Sequence, residues 1–504
     1  MKSRDVRDIG SRLELFVDEW LAQELKGVEY RLHEPFPREV ALVTDAPWEG
    51  NRAGYVTAFA DGDVVRMYYK AHHGFLVEDG PGKYREDFTP LRIAYAESRG
   101  GFKWEKPELG ICEIDGSKRN NVIWDGVGPD RIGTHGFTPF KDEKPGLKPK
   151  NRYKAFGRHG TGDGAGLYGM QSADGLHWEL ISDKPLITEG GFDSQNVGFW
   201  DSVAGTYRSY IRDKHPAEPE ESMADANNAG MRDIRTCTSP DFLEWTDPQM
   251  LEYTGSPEQP LYVNQILPYP RAPHILLGFP ARYVERPWGE VVELLPEVEH
   301  RRKMSARSPR LGTVVTDGLF MASRDEKVFH KWPDVFIRPG PQLKDKWIYG
   351  DNHQSLGLFE TASGLPDAPE EYSFVVTESY WQGEHTTFRR YSIRKDGFVG
   401  VHANLFGGEL ITRPLTFTGE DLYINFSTSA YGRIRVELQE PGGKPLEGLS
   451  LADCIDSVGD ELGRKVHWKN SQGLTGLAGK PVRLRFAMKD ADLYAIRFAS
   501  SPAG

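Results

Sequence analysis

A short stretch that recurs five times constrains the fold of this chain more than any other feature of the sequence. Its versions are AESRGGFKW (96–104), QSADGLHW (171–178), TSPDFLEW (238–245), ASRDEKVFHKW (322–332) and the degenerate YSIRKDGFV (391–399). Their serines follow one another at steps of 74, 67, 84 and 69 residues. Each step has room for about four strands of five to six residues with their loops. The repeat therefore predicts five four-stranded units.

The segments between these stretches have the composition of strands. They are rich in aromatic and β-branched residues, which suit a pleated surface: VVRMYYKA (64–71), RYKAFGRH (152–159), GTYRSYIRD (205–213) and HILLGFPARY (274–283). Repeated four-stranded sheets around one axis form a β-propeller. In each unit we expect the Ser-x-Asp-Gly to form a turn and the Trp to pack between neighbouring sheets, a structural role. The fold class predicted is all-β, with a five-bladed β-propeller over residues 12–405.

The pattern changes after about residue 405. DLYINFSTS (421–429), GRIRVELQE (432–440), PVRLRFAMKD (481–490) and DLYAIRFAS (492–500) alternate apolar and polar residues. A period of two is typical of a half-buried antiparallel sheet. We therefore predict a C-terminal β-sandwich over residues 406–504.

Charge and cysteine content exclude several classes of protein. Asp and Glu number 74 against 62 Lys and Arg, which gives a net charge of −12 spread along the chain. A groove that tracks phosphates needs a basic surface, so we expect no nucleic-acid partner. Cys112, Cys237 and Cys454 are odd in number and far apart, which predicts buried free thiols.

The N-terminal sequence shows no targeting segment. It has no apolar stretch before a small-residue cleavage site, and no window approaches 18 uncharged apolar residues. We expect a cytoplasmic protein without a membrane partner, or a secreted one if a signal peptide has been removed.

The order of motifs resembles that of the five-bladed propeller glycoside hydrolases, the invertase/levanase family and its arabinanase relatives. The resemblance rests on NRAGYVTAFADGDVVRMYYK with RIAYAESRGGFKWEKPE, on GFDSQNVGFWDSVAGTYRSYIRD with TCTSPDFLEW, and on the terminal sheet. It covers nearly the whole chain in outline and implies a carbohydrate-active enzyme.

The resemblance also suggests site residues. The family's nucleophile motif corresponds to WEGNRAG (48–54), which offers Glu49. Its Arg-Asp-Pro stabiliser corresponds to FDSQN (192–196), where Gln195 takes the aligned position and Asp193 lies two residues before it. Its general acid would fall in YVNQI (262–266), which has no carboxylate.

The residues themselves suggest a site where the inner strands begin, because propeller ligands bind where these strands converge. Polar residues at these points are Glu49, Asn51, Arg52, His135, Asp193, Gln195, Asn196, Asn264, Gln265, Asp351, Asn352 and His353. Glycoside hydrolysis uses one protonated and one ionised carboxyl group. We therefore predict Glu49, Asp193 and Asp351 as catalytic. The predicted substrate-binding residues are Arg52, Gln195, Asn196, Asn264, His353 and Glu384.

Each catalytic candidate also has a structural interpretation. Glu49 could be a solvated charge at the rim, Asp193 could cap a turn, and Asp351 could stabilise its loop through an Asx turn. These alternatives stay open at the level of sequence.

Two further features bear on ligands and partners. GAGLYG (164–169) matches a dinucleotide motif but is followed by strand and turn, and His72 with His73 lacks partners at metal-ligand spacing, so we expect no cofactor and no metal. The charged insertion at 285–312 is expected to form a lid over the funnel or a contact in a homo-oligomer.

Two functions of different class remain. The first is a glycosidase that acts on an oligosaccharide with paired carboxylates, with lyase or phosphorylase chemistry as variants on the same scaffold. The second is a non-catalytic sugar-binding or protein-interaction propeller, because propellers host many functions. Two carboxyl groups facing each other across the funnel favour the enzyme, and a funnel closed by apolar side chains favours the second function.

Overall fold

The structure is a computed structural model that describes residues 6–128, 131–160, 164–216, 230–469 and 473–500. Five strands precede the first repeat: β1 (Arg7–Gly10), β2 (Glu14–Leu15), β3 (Ala22–Lys26), β4 (Val28–Leu32) and β5 (Phe36–Val43). β5 does not pair with its neighbours in sequence. It forms the outer edge of the last propeller sheet and so closes the ring.

The first three blades are built alike, from four antiparallel strands in sequence order. Blade 1 consists of β6 (Gly54–Asp61), β7 (Val64–Ala71), β10 (Arg92–Ser98) and β11 (Val122–Trp124), with a separate hairpin β8 (Gly74–Glu78) and β9 (Tyr84–Phe88) inserted. Blade 2 consists of β12 (His135–Lys141), β13 (Tyr153–His159), β14 (Gly166–Ser172) and β15 (Glu179–Leu180). Blade 3 consists of β16 (Val197–Asp201), β17 (Thr206–His215), β18 (Met231–Ser239) and β19 (Gln249–Met250).

Blade 4 differs from the first three blades by an extra strand and an inserted helical segment. Its strands are β20 (Glu252–Thr254), β21 (Leu267–Tyr269), β22 (Ala272–Gly278), β25 (Met321–Ser323) and β26 (Val328–Lys331), and β20 joins parallel to β26. A two-stranded ribbon, β23 (Ala281–Val284) with β24 (Val315–Gly318), encloses helices α1 (Glu290–Glu293), α2 (Val298–Arg307) and α3 (Pro309–Thr313).

Blade 5 consists of β27 (Phe359–Thr361), β28 (Glu371–Glu378) and β29 (Thr387–Arg394), completed by β5. The prediction of an all-β chain with five blades is confirmed.

The repeated serine builds the same turn in four of its five copies. The hydroxyl oxygens of Ser98, Ser172, Ser239 and Ser323 each accept a hydrogen bond from the backbone N–H three residues later, at 2.9–3.1 Å. The donors, Gly101, Gly175, Phe242 and Glu326, all have φ between 71° and 80°. The fifth copy departs, because the hydroxyl of Ser392 instead accepts from Arg38 Nε at 2.8 Å.

The tryptophans of this repeat pack between adjacent blades, as predicted. Trp245 of blade 3 lies 5.5 Å from the ring of Phe156 in blade 2, and Trp104 of blade 1 lies 6.0 Å from that of Phe359 in blade 5. Trp178 of blade 2 shares a core with Tyr68 and Tyr95 of blade 1. The repeat thus fastens one sheet to the next.

The C-terminal region is mainly one hydrogen-bonded sheet around its own apolar core. Its strands are β30 (Val399–Ala403), β31 (Gly408–Thr412), β33 (Asp421–Gln439), β34 (Asp460–Lys465) and β35 (Arg483–Ala499), while β32 (Leu415–Phe417) pairs with β1 in a separate two-stranded sheet. The long strands β33 and β35 bury apolar side chains in this core, and the middle of β33 is exposed. Its description as a β-sandwich stays a prediction.

Segments on the propeller side of the predicted boundaries also join this sheet. β2, β3 and β4, within residues 14–32, pair with β35, β31 and β30 respectively, and β30 itself begins before residue 405. The division into 12–405 and 406–504 stays a prediction. Strands near the N-terminus pair with strands near the C-terminus. Such long-range pairing cannot be read from local sequence patterns.

Among the described residues, no helix has both the length and the apolar character needed to cross a membrane.

Candidate active site

The inner strands of the blades meet at a ring of buried amide side chains on the axis. Gln265 Nε2 donates to Gln195 Oε1 and to the carbonyl of Gln354, both at 2.7 Å. Gln195 Nε2 donates to Thr57 Oγ1 at 3.2 Å. These bonds link blades 1, 3, 4 and 5. The linked amides lie between two cavities on the axis, one where the inner strands begin and one where they end.

The cavity at the strand beginnings, which we name the upper cavity, is lined by ionisable groups. Its walls are formed by Gly54, Tyr55, Lys70, Tyr262, Tyr283, Thr316, Tyr349, Gly350, His353, Thr377 and Tyr380. Its volume is about 10 Å³, roughly the room one water molecule needs. In this state it can hold at most the reacting edge of a ligand.

Tyr380 lies in this cavity between two cations. Its hydroxyl oxygen accepts hydrogen bonds from Lys70 Nζ at 3.2 Å and from Arg52 Nε at 3.4 Å. Lys70 ends the inner hairpin of blade 1, whereas Tyr380 follows the second strand of blade 5. A phenol is thus held by groups from a different blade, which fixes its position on the axis.

The two cations change the acidity of the phenol. Burial by itself would raise the pKa of Tyr380, but the positive charges of Arg52 and Lys70 outweigh it and lower the pKa to about 8. Burial also lowers the pKa of the Lys70 ammonium. A phenol with a pKa near neutrality can exchange a proton under physiological conditions.

Arg52 is held in place by aromatic rings. Its guanidinium lies 4.0 Å from the ring centre of Trp381 and 4.6 Å from that of Phe88. Gly74 makes this approach possible, because a Cβ at that position would clash with the Arg52 side chain and with Trp381. The hairpin of β8 and β9 therefore covers one side of the site.

Asp193 is the carboxylate that faces this region. Its side chain is 51% exposed, Arg158 Nη1 donates to Oδ1 at 2.7 Å, and His135 Nε2 lies 3.5 Å from the same oxygen. Desolvation alone would raise the pKa of Asp193, but His135, Arg158 and Arg212 lower it to about 2. Asp193 is therefore ionised at neutral pH.

His135 connects Asp193 to the upper cavity. Its ring packs edge-on against Tyr55 at 5.4 Å, and Tyr55 lies beneath Lys70 Nζ at 4.5 Å from the ring centre. Burial lowers the pKa of His135 to about 3, which keeps the imidazole neutral. Asp193 and Tyr380 thus lie on either side of the same group of side chains. At neutral pH Asp193 is ionised and Tyr380 is protonated.

Unusual backbone conformations concentrate around this cavity. Tyr55, Asn352, Ser379 and Trp381 are non-glycine residues with φ between 51° and 62°. Gly350, at φ 84°, has no room for a Cβ against the Tyr380 ring. Such conformations cost about 1–3 kcal/mol each and persist where surrounding contacts impose them, often at functional sites.

Glu49 does not line the upper cavity. It is buried, and its carboxylate accepts from the backbone N–H of Ala46 at 3.0 Å, from Lys106 Nζ at 2.7 Å and from the Tyr69 hydroxyl. Both oxygens are occupied by contacts within the wall of blade 1. The catalytic role of Glu49 stays a prediction, and these contacts do not support it.

Asp351 likewise serves its own loop. Its Oδ1 accepts from the backbone N–H of Tyr380 at 2.9 Å and its Oδ2 from that of Ile348 at 3.4 Å. Burial raises its pKa well above the usual range for a carboxyl group. These donors lie three residues before and 29 residues after Asp351, so the contacts differ from those of an Asx turn, and they connect the Asp351 loop to Tyr380. The catalytic role of Asp351 stays a prediction.

Three predicted binding residues lie buried in the framework. Gln195 belongs to the axial amide ring. Asn196 donates to the carbonyls of Phe192 and Ser194 at 3.0 Å, and Asn264 donates to that of Tyr210 at 3.2 Å. These three side chains are thus bonded to buried polar groups of the framework, and their substrate-binding roles stay predictions.

Of the other predicted binding residues, Arg52 contacts Tyr380 and His353 lines the upper cavity. His353 lines the upper cavity and stacks on Tyr262 at 5.4 Å, and burial lowers its pKa to about 3. Glu384 is exposed near His73 and raises the pKa of that residue, opposing the effect of burial. Its binding role stays a prediction.

Sequence reasoning missed Tyr380 and Lys70. It considered residues that precede inner strands, whereas Lys70 ends a second strand and Tyr380 follows another. The available signal was the sequence TESYWQGEH (377–385), in which aromatic residues interrupt a polar loop directly after a strand.

The insertion at 285–312 packs beside this site. Met304 and Leu311 share a core with Tyr55, Tyr262 and Tyr349. Arg310 Nη1, from α3, donates to the Tyr283 hydroxyl at 2.8 Å. Of the two expected roles, lid or oligomer contact, this position fits a lid, and both stay predictions.

The lower cavity, at the other end of the axis, is larger and mostly apolar. It has a volume of about 390 Å³ and is lined among others by Phe59, Phe140, Phe199, Trp200, Pro268 and Leu358. Within the described residues, no three His, Cys, Asp or Glu side chains are grouped as a metal site requires.

No protein-family model matches this chain, and no curated protein matches it. Similar solved structures include one described as a glycoside hydrolase, at 14% identity and a TM-score of 0.42, covering 71% of this chain and 92% of that one. A fructofuranosidase from Schwanniomyces occidentalis complexed with fructosylnystose has 11% identity and a TM-score of 0.38, with coverage of 94% and 98%.

A glycoside hydrolase family 43 arabinoxylan arabinofuranohydrolase from Bacillus subtilis, in complex with cellotetraose, has 10% identity and a TM-score of 0.37. It covers 93% of this chain and 99% of its own. At these identities, the similar structures assign neither residue roles nor an activity to this chain. The chain is similar to solved structures of glycoside hydrolases.

Proposed function

We propose that this protein is a glycosidase that cleaves an oligosaccharide at the upper cavity, with Tyr380 and Asp193 as the reacting side chains. The observation that carries the proposal is the position of the Tyr380 hydroxyl, held between Lys70 Nζ and Arg52 Nε at the axis of the propeller. A proton donor held in place by charged groups from another blade is what an acid catalyst requires.

The two residues take complementary roles in hydrolysis. Tyr380 donates its proton to the glycosidic oxygen as the bond from that oxygen to the anomeric carbon breaks. Asp193, ionised beside Arg158, stabilises the positive charge that develops on the sugar and orients the attacking water. The water oxygen bonds to the anomeric carbon, one hydrogen leaves through Asp193 to solvent, and the Tyr380 phenolate takes a proton back from solvent, so that one water is consumed per bond and both side chains return to their starting states.

This arrangement replaces the paired carboxylates expected from the sequence. Two carboxyl groups with separated pKa values supply the acid and the charged group in most glycosidases, and in sialidases a tyrosine takes the place of a carboxylate as the nucleophile. Here the separation is between a carboxyl group with a pKa of about 2 and a phenol with a pKa of about 8.

The test is the turnover of Asp193→Asn on an oligosaccharide panel assayed for new reducing ends. We expect turnover to fall by about 10²–10⁴-fold with little loss of thermal stability, because the change removes a charge and keeps the shape. The matched control is Glu143→Gln, an exposed carboxylate at the lower cavity, which should keep wild-type turnover. Near-normal turnover of Asp193→Asn on a cleaved sugar contradicts the role given to Asp193.

A lyase is the second candidate, and the cation pair around Tyr380 favours it, because a phenolate held there could abstract a proton next to a sugar carboxylate. The two reactions differ in pH dependence. Tyr380 acting as an acid loses activity above pH of about 8, whereas Tyr380 acting as a base gains activity through the same range. Elimination also leaves an unsaturated sugar with a new ultraviolet absorbance, and hydrolysis does not.

Sugar binding without turnover on the full panel, measured by calorimetry, would instead identify a non-catalytic sugar-binding propeller. Cytoplasmic or secreted location, the absence of nucleic-acid partners and assembly through residues 285–312 stay predictions.

A further inference from the structure

The lower cavity is large enough to hold a small molecule. Its volume is about 390 Å³, whereas an apolar cavity of about 150 Å³ already holds one benzene ring. Five residues of its lining, Ala60, Glu143, Ser202, Pro270 and Pro273, are exposed and form a mouth that opens to solvent. A molecule of two fused rings therefore has both a way in and enough room.

Aromatic rings form one side of this cavity. Phe59, Phe140, Phe199 and Trp200 lie toward the ends of the inner strands β6, β12 and β16, on three successive blades. Such rings pack against other aromatic rings in offset-stacked or edge-on arrangements, and these contacts add to the effect of burying area. The wall therefore favours a flat aromatic molecule.

Apolar side chains of the lining remain partly accessible. Phe59 and Trp200 are only half-buried, and so are Leu267 of blade 4 and Leu358 before β27. Contact between apolar surface and water is unfavourable, so a ligand that covers this surface binds more favourably in proportion to the apolar area it buries. A mostly apolar cavity of this size with a few polar groups is typical of a ligand site.

The charges of the cavity favour a neutral ligand. Of the described residues that line it, two are charged, Lys141 and Glu143. Lys141 Nζ lies 2.8 Å from Asp61 Oδ1, so its charge already has a partner. Glu143 is exposed at the mouth, where solvent screens its charge. An ion placed against the aromatic wall would lose hydration that these two groups do not replace.

The amide ring lies between this cavity and the proposed site. Gln265 lines the lower cavity, and its Nε2 donates to Gln195 Oε1 and to the carbonyl of Gln354, both at 2.7 Å. A ligand in the lower cavity is thus on the far side of these side chains from Tyr380.

We propose that the lower cavity is a second binding site, and that its ligand is a neutral aromatic molecule of about two fused rings. The inference goes beyond the proposed function, because it concerns binding at the opposite end of the axis and requires no turnover.

The test is calorimetric binding of naphthol to the whole protein. We expect a Kd below about 1 mM. Naphthoate and naphthylmethylammonium, which carry a negative and a positive charge at the same ring position, should bind at least roughly tenfold more weakly, because their charge must be dehydrated. Decahydronaphthol, the saturated counterpart, should bind severalfold more weakly than naphthol, because it lacks the aromatic rings that pack on the wall.

The variants are Ala60→Phe and Ser202→Phe, which place a ring in the mouth from blade 1 and from the turn after β16. Because they lie on different blades, a folding defect in one leaves the other informative. Each should weaken naphthol binding by at least about tenfold, since the added ring occupies the space of the ligand. The matched control is Val203→Phe, the neighbour of Ser202, which is 63% exposed and outside the lining and should bind naphthol as the wild type does.

Absence of naphthol binding, equal affinity for the charged or saturated probes, or binding that survives both mouth variants overturns the inference. The proposed function fails separately, because sugar cleavage is measured without naphthol. Naphthol bound in a way that depends on the mouth, together with no cleavage of any sugar, refutes the enzyme and keeps the second site. Cleavage of a sugar without naphthol binding does the reverse.

Discussion

The propeller axis carries two cavities that differ in size and in chemistry. The lower cavity has a volume of about 390 Å³ and walls of Phe, Pro and Leu, whereas the upper cavity has about 10 Å³ and walls of Tyr, Lys and His. The lower cavity is lined by residues of all five blades, whereas the upper cavity is lined by residues of blades 1, 4 and 5. The difference teaches that volume alone does not locate the chemistry in such a fold, since the smaller cavity holds the phenol whose pKa two neighbouring cations lower to about 8.

The difference between the two cavities has a structural cause. Inner strands that cross the axis present their first residues to one end and their last residues to the other, and the amide ring of Gln195 and Gln265 separates the two ends. Polar residues at the strand beginnings and apolar ones at the strand ends then produce cavities of opposite character. Three substitutions test this contrast, beginning with the largest expected effect.

Tyr380→Phe tests whether proton transfer takes place in the upper cavity. We expect turnover to fall by about 10²–10⁴-fold, because the phenol proton is lost while the ring remains. The residual activity should also lack the decline above pH of about 8 that the wild-type phenol imposes when it ionises. Initial rates between pH 5 and pH 10 measure both effects.

The control for this change is Tyr349→Phe, which alters a second phenol that lines the same cavity. We expect less than about tenfold loss there. An unchanged alkaline decline in Tyr380→Phe would assign the ionisation to another group.

Glu49→Gln distinguishes carboxylates in the wall from those at the cavity. Lys106 and Tyr69 would lose a charged partner in a buried position, so we expect the free energy of unfolding to fall by about 2–3 kcal/mol. Urea unfolding followed by tryptophan fluorescence measures it. Glu299→Gln, which changes an exposed carboxylate, should shift stability by less than about 0.5 kcal/mol.

If Glu49→Gln keeps wild-type stability and loses turnover instead, then Glu49 contacts the substrate. Its assignment to the wall of blade 1 would then be wrong.

Gln265→Leu removes the central member of the amide ring. It leaves the oxygens of Gln195 and Gln354 without their donor, and we expect a loss of about 1–3 kcal/mol in the free energy of unfolding. Denaturant unfolding measures it, with Gln249→Leu as the control at an exposed position. A loss no larger than that of the control would show that the ring does not hold the blades together.

The architecture was largely predictable from the sequence, because local rules produce it. Ser172 and Ser239 form their turns with residues two and three positions away, so the repeat carries its own geometry. Five such turns at steps of 67 to 84 residues predicted five blades, and the structure has five. The strand β5 was not assigned to blade 5, because its partner β29 lies about 350 residues further along the chain.

The site was predictable only in part. Arg52, His353, Asp193 and His135 were placed near the axis by their positions before inner strands. The same rule also selected Glu49, Asn196 and Asn264, whose polar atoms are occupied by neighbouring buried groups. Sequence position gives the strand on which a residue lies, but not which partners its side chain meets.

The sequence by itself determined an all-β chain of five repeated sheets and a net charge of −12, from which we predict no nucleic-acid groove. Both follow from local turn chemistry, strand periodicity and composition, which do not depend on distant contacts. Only the tertiary structure decided that Tyr380 lies between Lys70 and Arg52, and that Arg232 lies beside Tyr283. These residues are separated by 50 to more than 300 positions along the chain. The acidity and charge of these side chains depend on neighbours from other blades. Those neighbours come within a few ångströms only when the propeller closes.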